Sequence, residues 1–329
     1  MKKLTLKCLT LICLPLAMVV LYPLTAFAVQ GVANVFTTDI NDPSGKQLLK
    51  EVRLYDLDGS GYLKNRYVQI LVIKGSTVDH LAQKINGDFR YTPVVWDSQN
   101  LNPSGDWSGI RFDAASLYYG FTTARRYLAD HFGYIPPGYV NVHAFKTLNL
   151  SPGLILGGEA NPSNNPPSID MYLPITISEY TLNPARDSIV AIHEYFHIVF
   201  PRYIQGLHFY QIPQTPSNAI NEAISDFWGT SILDEPRKSW WTMIPPGVPK
   251  PDFRDFMYYD DSLTTKKNPN TNDETVMQDN LTHALWALRS HPRIGKTNAE
   301  KIFWNAMYLI HSTPARLAIL EDIPQACLN

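Results

Sequence analysis

The chain has 329 residues, of which 45% are hydrophobic and 18% are charged, and its formal net charge is −2. This length supports one large or two medium domains with an ample core. The composition excludes an intrinsically disordered protein and a membrane protein with many spans. The near-neutral charge argues against nucleic acid as a partner, because nucleic-acid-binding proteins carry a basic excess or basic stripes.

The first 28 residues have the pattern of an export signal. Three lysines within the first seven residues precede an almost wholly apolar run over residues 9–24, and small residues follow at Ala26 and Ala28. This pattern predicts a signal peptide over residues 1–28, cleaved after Ala28. The apolar run is also long enough for an uncleaved membrane anchor, which is the alternative. Cleavage predicts a secreted or periplasmic bacterial protein with no stable membrane association.

Cleavage would also change the charge and the cysteine content. It removes three lysines and no acids, which leaves 25 basic against 30 acidic residues. It removes two of the three cysteines, so Cys327 would be alone and no intramolecular disulfide could form. We therefore expect the exported protein to be stabilised by core packing, with metal ions as a further source.

The region after the signal has the turns and apolar runs of β-structure. An Asp-Gly-Ser-Gly sequence at residues 58–61 lies between two such runs and predicts a β-hairpin. Asp56, Asp58 and Ser60 also match the first positions of a calcium loop. Tyr67 stands where that loop has a bidentate glutamate, so the hairpin is the favoured interpretation.

Helical spacing first appears over residues 113–133, from an N-cap at Asp113 to Gly133 just after the helix. Strand-like runs return at 139–145 and 154–156. Further helices are predicted at residues 188–200, 218–233, 278–290, 298–311 and 314–321. Strands followed by helices indicate an α+β fold. We expect a β-rich N-terminal lobe over residues 29–186 and a mainly α-helical C-terminal lobe over residues 187–329.

The most informative motif is the H-E-x-x-H sequence at residues 193–197, in a helical pattern that Asp187 can cap and Pro201 can end. Residues four apart lie on one face of a helix, so the two imidazoles can bind one metal ion. Glu194 could take a proton from a water at the open coordination position. The alternative is a solvated polar face. It fits poorly, because the neighbouring residues make this helix apolar nearly all round.

A third ligand is available on the next predicted helix. Glu222 and Asp226 are four residues apart and therefore share a face. Glu222 can complete a two-histidine, one-glutamate zinc site with His193 and His197, and the fourth position stays open for water. Asp226 can accept the second ring N–H of a ligand histidine and so fix its orientation.

These two motifs carry a resemblance to a known family. Residues 189–197 read IVAIHEYFH and residues 221–229 read NEAISDFWG, and supporting segments are YIQGL at 203–207 and KIFWNA at 301–306. Together they resemble the thermolysin family of bacterial neutral metallopeptidases, with some likeness to the fungal fungalysins. The resemblance covers roughly residues 110–329.

The resemblance implies a zinc endopeptidase of the gluzincin type, with the two lobes on either side of a cleft floored by the helix around His193. It implies that Glu194 is the general base and that Asp226 supports a zinc ligand. Tyr210 falls where the family has a phenol that helps to stabilise the oxyanion. A packed aromatic is the equal alternative for Tyr210.

The chain departs from the family pattern beside the proposed cleft. His197 and Glu222 are 25 positions apart, about five more than is usual in the family, which implies a longer loop. The family has a histidine that stabilises the oxyanion, and its position in this chain falls near Thr275, where there is no histidine. The nearest histidine along this stretch is His283, which either binds substrate or is packed in the helix. A missing donor of this kind costs about 10²–10³ in rate.

Substrate and calcium positions are matched less well. Asn149 is the best counterpart of the residue that binds a peptide backbone in the family, ahead of the strand-like run at 154–156. Leu233 stands where a calcium-binding acid is expected, although Asp234 and Glu235 follow it. Ca²⁺ is thus a candidate cofactor without clear ligands, whereas Zn²⁺ has a full ligand set.

The leading hypothesis is an exported zinc metalloendopeptidase that hydrolyses peptide or protein substrates, with Glu194 as the general base. The alternative is an exported zinc-binding interaction protein whose catalysis is weakened or lost. An aminopeptidase would share the metal chemistry, but it needs an acidic anchor for the substrate's amino terminus, and the sequence reveals none.

Overall fold

A computed structural model gives the fold of the chain. It describes residues 29–38, 47–74, 77–80, 88–93, 108–135, 138–146, 158–172, 175–177, 180–203, 216–238, 241–243, 254–255 and 273–312. The described part combines five α-helices with several small sheets, which confirms the predicted α+β class. Strands prevail before residue 187 and helices prevail after it.

The strands of the described part are short. They are β1 (Val29–Thr38), β2 (Gln47–Leu57), β3 (Val68–Lys74), β4 (Thr77–His80), β5 (Val140–Lys146), β6 (Gly158–Asn161), β7 (Ser168–Tyr172), β8 (Ile175–Ile177), β9 (Tyr180–Asn183), β10 (Arg237–Lys238), β11 (Trp241–Met243) and β12 (Arg254–Asp255). The largest sheet has the order β4-β3-β5-β7-β6. Its strands β3, β5 and β7 are parallel, and the outer strands β4 and β6 run antiparallel to their neighbours.

Side chains alternate between the two faces of this sheet along each strand. Val142 and Ala144 of β5 are fully buried, whereas Asn141 lies on the opposite face and accepts a hydrogen bond from Gln69 (2.8 Å). The remaining strands form a β1–β2 ribbon, a β11-β9-β8 sheet and a β10–β12 pair.

The helices are α1 (Ser108–Phe132), α2 (Ser188–Tyr203), α3 (Pro216–Leu233), α4 (Asp273–Ser290) and α5 (Gly295–Ser312), and a 3₁₀ turn (Pro184–Arg186) precedes α2. Five of the predicted helices are confirmed, with ends shifted by up to five residues. The expected end of α2 at Pro201 is wrong by two residues, because a proline in the last turn removes only one backbone hydrogen bond. Within the described residues, no helix combines the length and hydrophobicity needed to cross a membrane.

The predicted hairpin at residues 58–61 is wrong. Strand β2 pairs with β1, and β3 pairs with β4 and β5, so the two runs belong to different sheets. Gly59 and Gly61 both have positive φ angles (79° and 85°), which bend this segment into a loop. The chain reverses later, where the side-chain oxygen of Asn65 accepts backbone N–H bonds from Tyr67 (2.7 Å) and Val68 (2.9 Å).

Helix α2 lies at the centre of the described structure. It packs against α1, α3 and strand β6, and its residues from 188 to 200 are all buried. One hydrophobic cluster includes side chains from β1, the large sheet and all five helices. The H-E-x-x-H motif therefore lies on a helix whose position is fixed by packing on several sides.

Candidate metal centre

The H-E-x-x-H motif occupies the middle of α2. The Asp187 side chain accepts a hydrogen bond from the backbone N–H of Ile189 (2.8 Å) and caps the helix, as expected. His193 and His197 are 4% and 5% exposed, and their ring centroids are 4.6 Å apart with nearly perpendicular planes. The spacing of four residues thus brings both rings to one face of the helix, as the sequence predicts.

Glu222 of α3 completes the cluster. Its Oε2 lies 3.2 Å from Nε2 of His193, its Oε1 lies 3.4 Å from Nε2 of His197, and the two Nε2 atoms are 3.0 Å apart. Ligands 2.0–2.1 Å from a tetrahedral ion are separated by about 3.3 Å. These three residues could therefore hold one metal ion, and they form the one such group of His, Cys, Asp or Glu side chains among the described residues.

The Nδ1 atom of each histidine has a polar partner that orients the ring. Nδ1 of His193 lies 2.7 Å from Oδ1 of Asp226, which is completely buried. Nδ1 of His197 lies 3.2 Å from the hydroxyl of Ser225. With Nδ1 engaged on each ring, both Nε2 atoms are directed towards Glu222, which is the arrangement that metal-ligating histidines have in proteins.

The electrostatic environment keeps Glu222 ionised. Burial raises the pKa of this carboxyl, but the charges and hydrogen bonds of His197 and His193 outweigh burial and hold the pKa well below its usual value. The centre therefore presents one carboxylate and two imidazole nitrogens, a set suited to a divalent cation.

Gly158 of strand β6 lies close to the side chain of Glu194. Glu194 is 6% exposed, and a Cβ atom on Gly158 would lie 2.9 Å from its Cγ and 3.0 Å from its Oε1. Only a residue without a side chain leaves room for Glu194 at this distance. Strand β6 is the outermost strand of the described sheet, and it packs against α2.

Most of the remaining site positions predicted from the sequence lie outside the described residues. Tyr210, Asn149 and the strand-like run at 154–156 lie outside the described residues, as does the predicted helix at 314–321. His283 is buried on α4, and Thr275, near which the histidine of the family falls, lies in the first turn of the same helix.

The acids after Leu233 line a cavity of about 280 Å³ together with Asp187. Asp234 and Glu235 do not come close enough to a third acid or histidine to form a described group of metal ligands. Calcium binding therefore has no support beyond the sequence.

The structure adds three neighbours that the sequence did not identify. Gly158 contacts Glu194, Ser225 contacts His197, and Gln278 of α4 donates a hydrogen bond to Oδ2 of Asp226 (2.7 Å). The position of Ser225 next to Asp226 was a usable signal, since both lie on the ligand helix. The other two contacts join distant parts of the chain and have no local pattern.

No family model and no curated protein matches the chain. The site is therefore interpreted from its own geometry.

Proposed function

We propose that this protein is an exported zinc metallopeptidase that cleaves peptide bonds within polypeptide substrates. The observation that carries the proposal is the convergence of His193, His197 and Glu222, whose ligand atoms lie 3.0–3.4 Å apart, immediately beside Glu194. The proposal includes a signal peptide over residues 1–28 and a cleft between a β-rich lobe and a helical lobe.

Zinc is the metal that best suits this donor set. Two imidazoles and one carboxylate with a vacant fourth position are typical of catalytic zinc, whereas structural zinc sites are closed by four protein ligands. Magnesium and calcium prefer sites made of oxygen atoms, so the two histidines disfavour both. A zinc ion bound here would act as a Lewis acid towards a carbonyl group and would acidify a water molecule.

Glu194 is the proposed proton carrier. Its carboxylate accepts a proton from the attacking water and delivers it to the amide nitrogen as the peptide bond breaks, so the base is regenerated as the amine leaves. Asp226 keeps the His193 ring oriented throughout, because its Oδ1 lies 2.7 Å from Nδ1 and accepts the proton of that nitrogen in a hydrogen bond. Tyr210 remains the proposed donor to the oxyanion.

The substrate is proposed to add to the outer edge of β6. An extended peptide can form main-chain hydrogen bonds with the edge of a sheet, which fixes its direction without requiring a particular sequence. Gly158 of β6 lies next to Glu194, so the proposal brings the backbone of a peptide paired with β6 close to the base.

Cleavage within a chain is favoured over removal of the first residue. The acid nearest to Gly158 along the strand is Glu159, and its side chain points to the opposite face because side chains alternate. Glu159 also accepts a hydrogen bond from the Tyr172 hydroxyl (2.6 Å) on that face. It is thus badly placed to hold a substrate's amino terminus beside Glu194.

The test combines metal analysis with peptide hydrolysis. We expect purified protein to contain one zinc ion per chain and to cleave casein and amino-terminally blocked peptides, with a chelator abolishing the activity and added zinc restoring it. Glu194→Gln should lower kcat by at least about 10²-fold, because it removes the proton acceptor, while zinc stays bound. Glu51→Gln, at an exposed glutamate on β2, is the matched control.

Each result separates the hypotheses. Activity at the wild-type level in the Glu194→Gln variant would refute the role of the base. Bound zinc without hydrolysis of any peptide would instead favour the zinc-binding interaction protein. Cleavage restricted to peptides with a free amino terminus would favour an aminopeptidase.

A further inference from the structure

We propose that Gln278 is a positioning residue for the metal centre and that it acts on His193 through Asp226. The inference rests on the proposed function, because it assigns to Gln278 a role in metal binding. It concerns a residue on α4, a helix that provides no metal ligand in the proposed site.

The contacts form a continuous chain. Gln278 is 6% exposed and donates from Nε2 to Oδ2 of Asp226 at 2.7 Å, and Oδ1 of the same carboxylate lies 2.7 Å from Nδ1 of His193. Asp226 has no exposed surface. A carboxylate removed from water must be compensated by donors, and here each of its oxygens has at least one.

Gln278 restrains the rotation that matters for the ligand. The terminal torsion of an aspartate is broad, so a single hydrogen bond leaves the carboxylate free to turn about its last bond. A second bond on the other oxygen fixes the carboxylate plane. Oδ1 then stays in line with Nδ1 of His193, and Nε2 of the same ring stays directed at the metal.

Two further polar contacts hold α4 in register with α3. The Thr282 hydroxyl lies 3.5 Å from the backbone oxygen of Ala223, and Nε of Arg289 donates to the Ser231 hydroxyl at 2.8 Å. Residues 278, 282 and 289 lie on one face of α4, at spacings of four and seven. Gln278 is the member of this row that reaches Asp226. The Thr282 hydroxyl also donates to the backbone oxygen of Gln278 at 3.0 Å, within α4.

The experiment measures metal affinity and not only activity. We expect Gln278→Met, which keeps the length and removes the donor, to raise the Kd for zinc about tenfold, at the low end of the 10–100-fold range for partners of metal ligands. The absorption bands of the cobalt-substituted protein should also shift, because the His193 ring is less firmly oriented. Gln278→Asn, a smaller perturbation, is the second variant if the first does not fold.

Matched controls separate positioning from packing. Thr282→Val removes the contact with Ala223 and a hydrogen bond to the backbone oxygen of Gln278, but it leaves the Gln278 side chain and Asp226 unchanged. It should leave the zinc Kd within about twofold of wild type. Asp226→Ala should weaken binding more strongly than either Gln278 variant. Unfolding temperatures are measured with and without zinc. We expect Gln278→Met to reduce the increase in unfolding temperature that zinc produces more than it reduces the unfolding temperature of the zinc-free protein.

Three outcomes would overturn the inference or its basis. The first outcome is a zinc Kd of Gln278→Met equal to that of Thr282→Val, while the Kd of Asp226→Ala is raised. This result would refute the role of Gln278 and leave the proposed function intact. An equal loss of unfolding temperature with and without zinc, at an unchanged Kd, would show that Gln278 only packs. Failure of the wild-type chain to bind zinc would refute the proposed function itself.

Discussion

Gly158 is the residue at which the sheet meets the proposed base. A methyl group at this position would lie 2.9–3.0 Å from Cγ, Cδ and Oε1 of Glu194, closer than nearly all contacts of a Cβ atom in proteins. Glu194 is buried, and its side chain would have to shift to make room for the methyl group. The glycine is therefore favoured by close contact and not by an unusual backbone angle.

Gly158→Ala is expected to lower kcat by about 10- to 100-fold, since displacement of a catalytic group by an ångström can cost 10²-fold. The zinc content should stay at that of wild type, because the three atoms nearest to the new methyl group all belong to Glu194. Steady-state kinetics and metal analysis on the same sample test this. Asn161→Ala, at the far end of β6, serves as the control, and unchanged kcat in Gly158→Ala would contradict the prediction.

At this scale the sequence predicted the ligands but not their surroundings. Spacing along a helix determines which side chains share a face, so the convergence of His193, His197 and Glu222 and the contact of Asp226 with His193 could be predicted from short motifs. Gln278 reaches Asp226 from a helix that begins about fifty residues later, and such a contact depends on how helices pack. Local patterns carry no information about it.

At the scale of elements, two glycines let α2 lie close to its neighbouring helices. A Cβ on Gly229 of α3 would lie 2.9 Å from the backbone oxygen of Ile189, and one on Gly120 of α1 would lie 2.8 Å from the Cβ of Ala191. Helix α2 is thus held on two sides by close contacts with backbone atoms or Cβ atoms. A change of side-chain rotamer does not move these atoms, so it cannot make room for a larger residue at either glycine.

Gly229→Ala is therefore expected to destabilise the protein, although alanine is the better helix former. The gain in helix propensity is about 1 kcal/mol, and overpacking against a fixed backbone oxygen costs about 1–3 kcal/mol. We expect a net loss, measured as a lower free energy of unfolding in urea. Asn305→Ala, at an exposed position of α5, reports the propensity gain without the contact. A more stable Gly229→Ala protein would contradict this account.

The elements themselves were predicted unevenly. Long amphipathic segments such as α1, α3 and α5 were found because their apolar spacing repeats over several turns. The hairpin at residues 58–61 was not, because a turn sequence shows where the chain bends but not which strands pair. Pairing of β3 with β5 joins residues about seventy positions apart, and tertiary packing decides it.

At the scale of the whole molecule, a buried polar network joins four of the five helices. The Tyr127 hydroxyl of α1 donates to Oε2 of Glu300 on α5 (2.5 Å), and the Ser231 hydroxyl of α3 donates to Oε1 (2.5 Å). Arg289 of α4 donates to the same serine at 2.8 Å. Glu300 is 2% exposed, so these donors compensate an otherwise costly buried carboxylate.

This network makes the fold sensitive to alkaline pH. Burial and the neighbouring Glu300 raise the pKa of Tyr127 far above 10, and burial raises the pKa of Tyr91 to about 12 despite the opposing charge of Arg111. A phenol with a raised pKa in the folded state binds its proton more tightly there than in the unfolded chain. Its contribution to stability is complete below pH 10 and is lost as the pH rises through the folded pKa.

The free energy of unfolding should therefore fall between pH 10 and pH 12, by at most about 1.4 kcal/mol per pH unit for each such tyrosine. Tyr127→Phe should be less stable than wild type at pH 8, because a hydrogen bond to Glu300 is lost, and should show a shallower fall above pH 10. Tyr62→Phe, at a tyrosine that is 39% exposed, should keep the wild-type slope. Urea unfolding at pH 8, 10 and 11 measures both effects, and equal slopes for Tyr127→Phe and wild type would contradict the role of the buried phenol. Helix α3 carries both Glu222 and, from this network, Ser231. Alkaline pH should therefore release zinc only when the whole protein unfolds, and not at a lower pH.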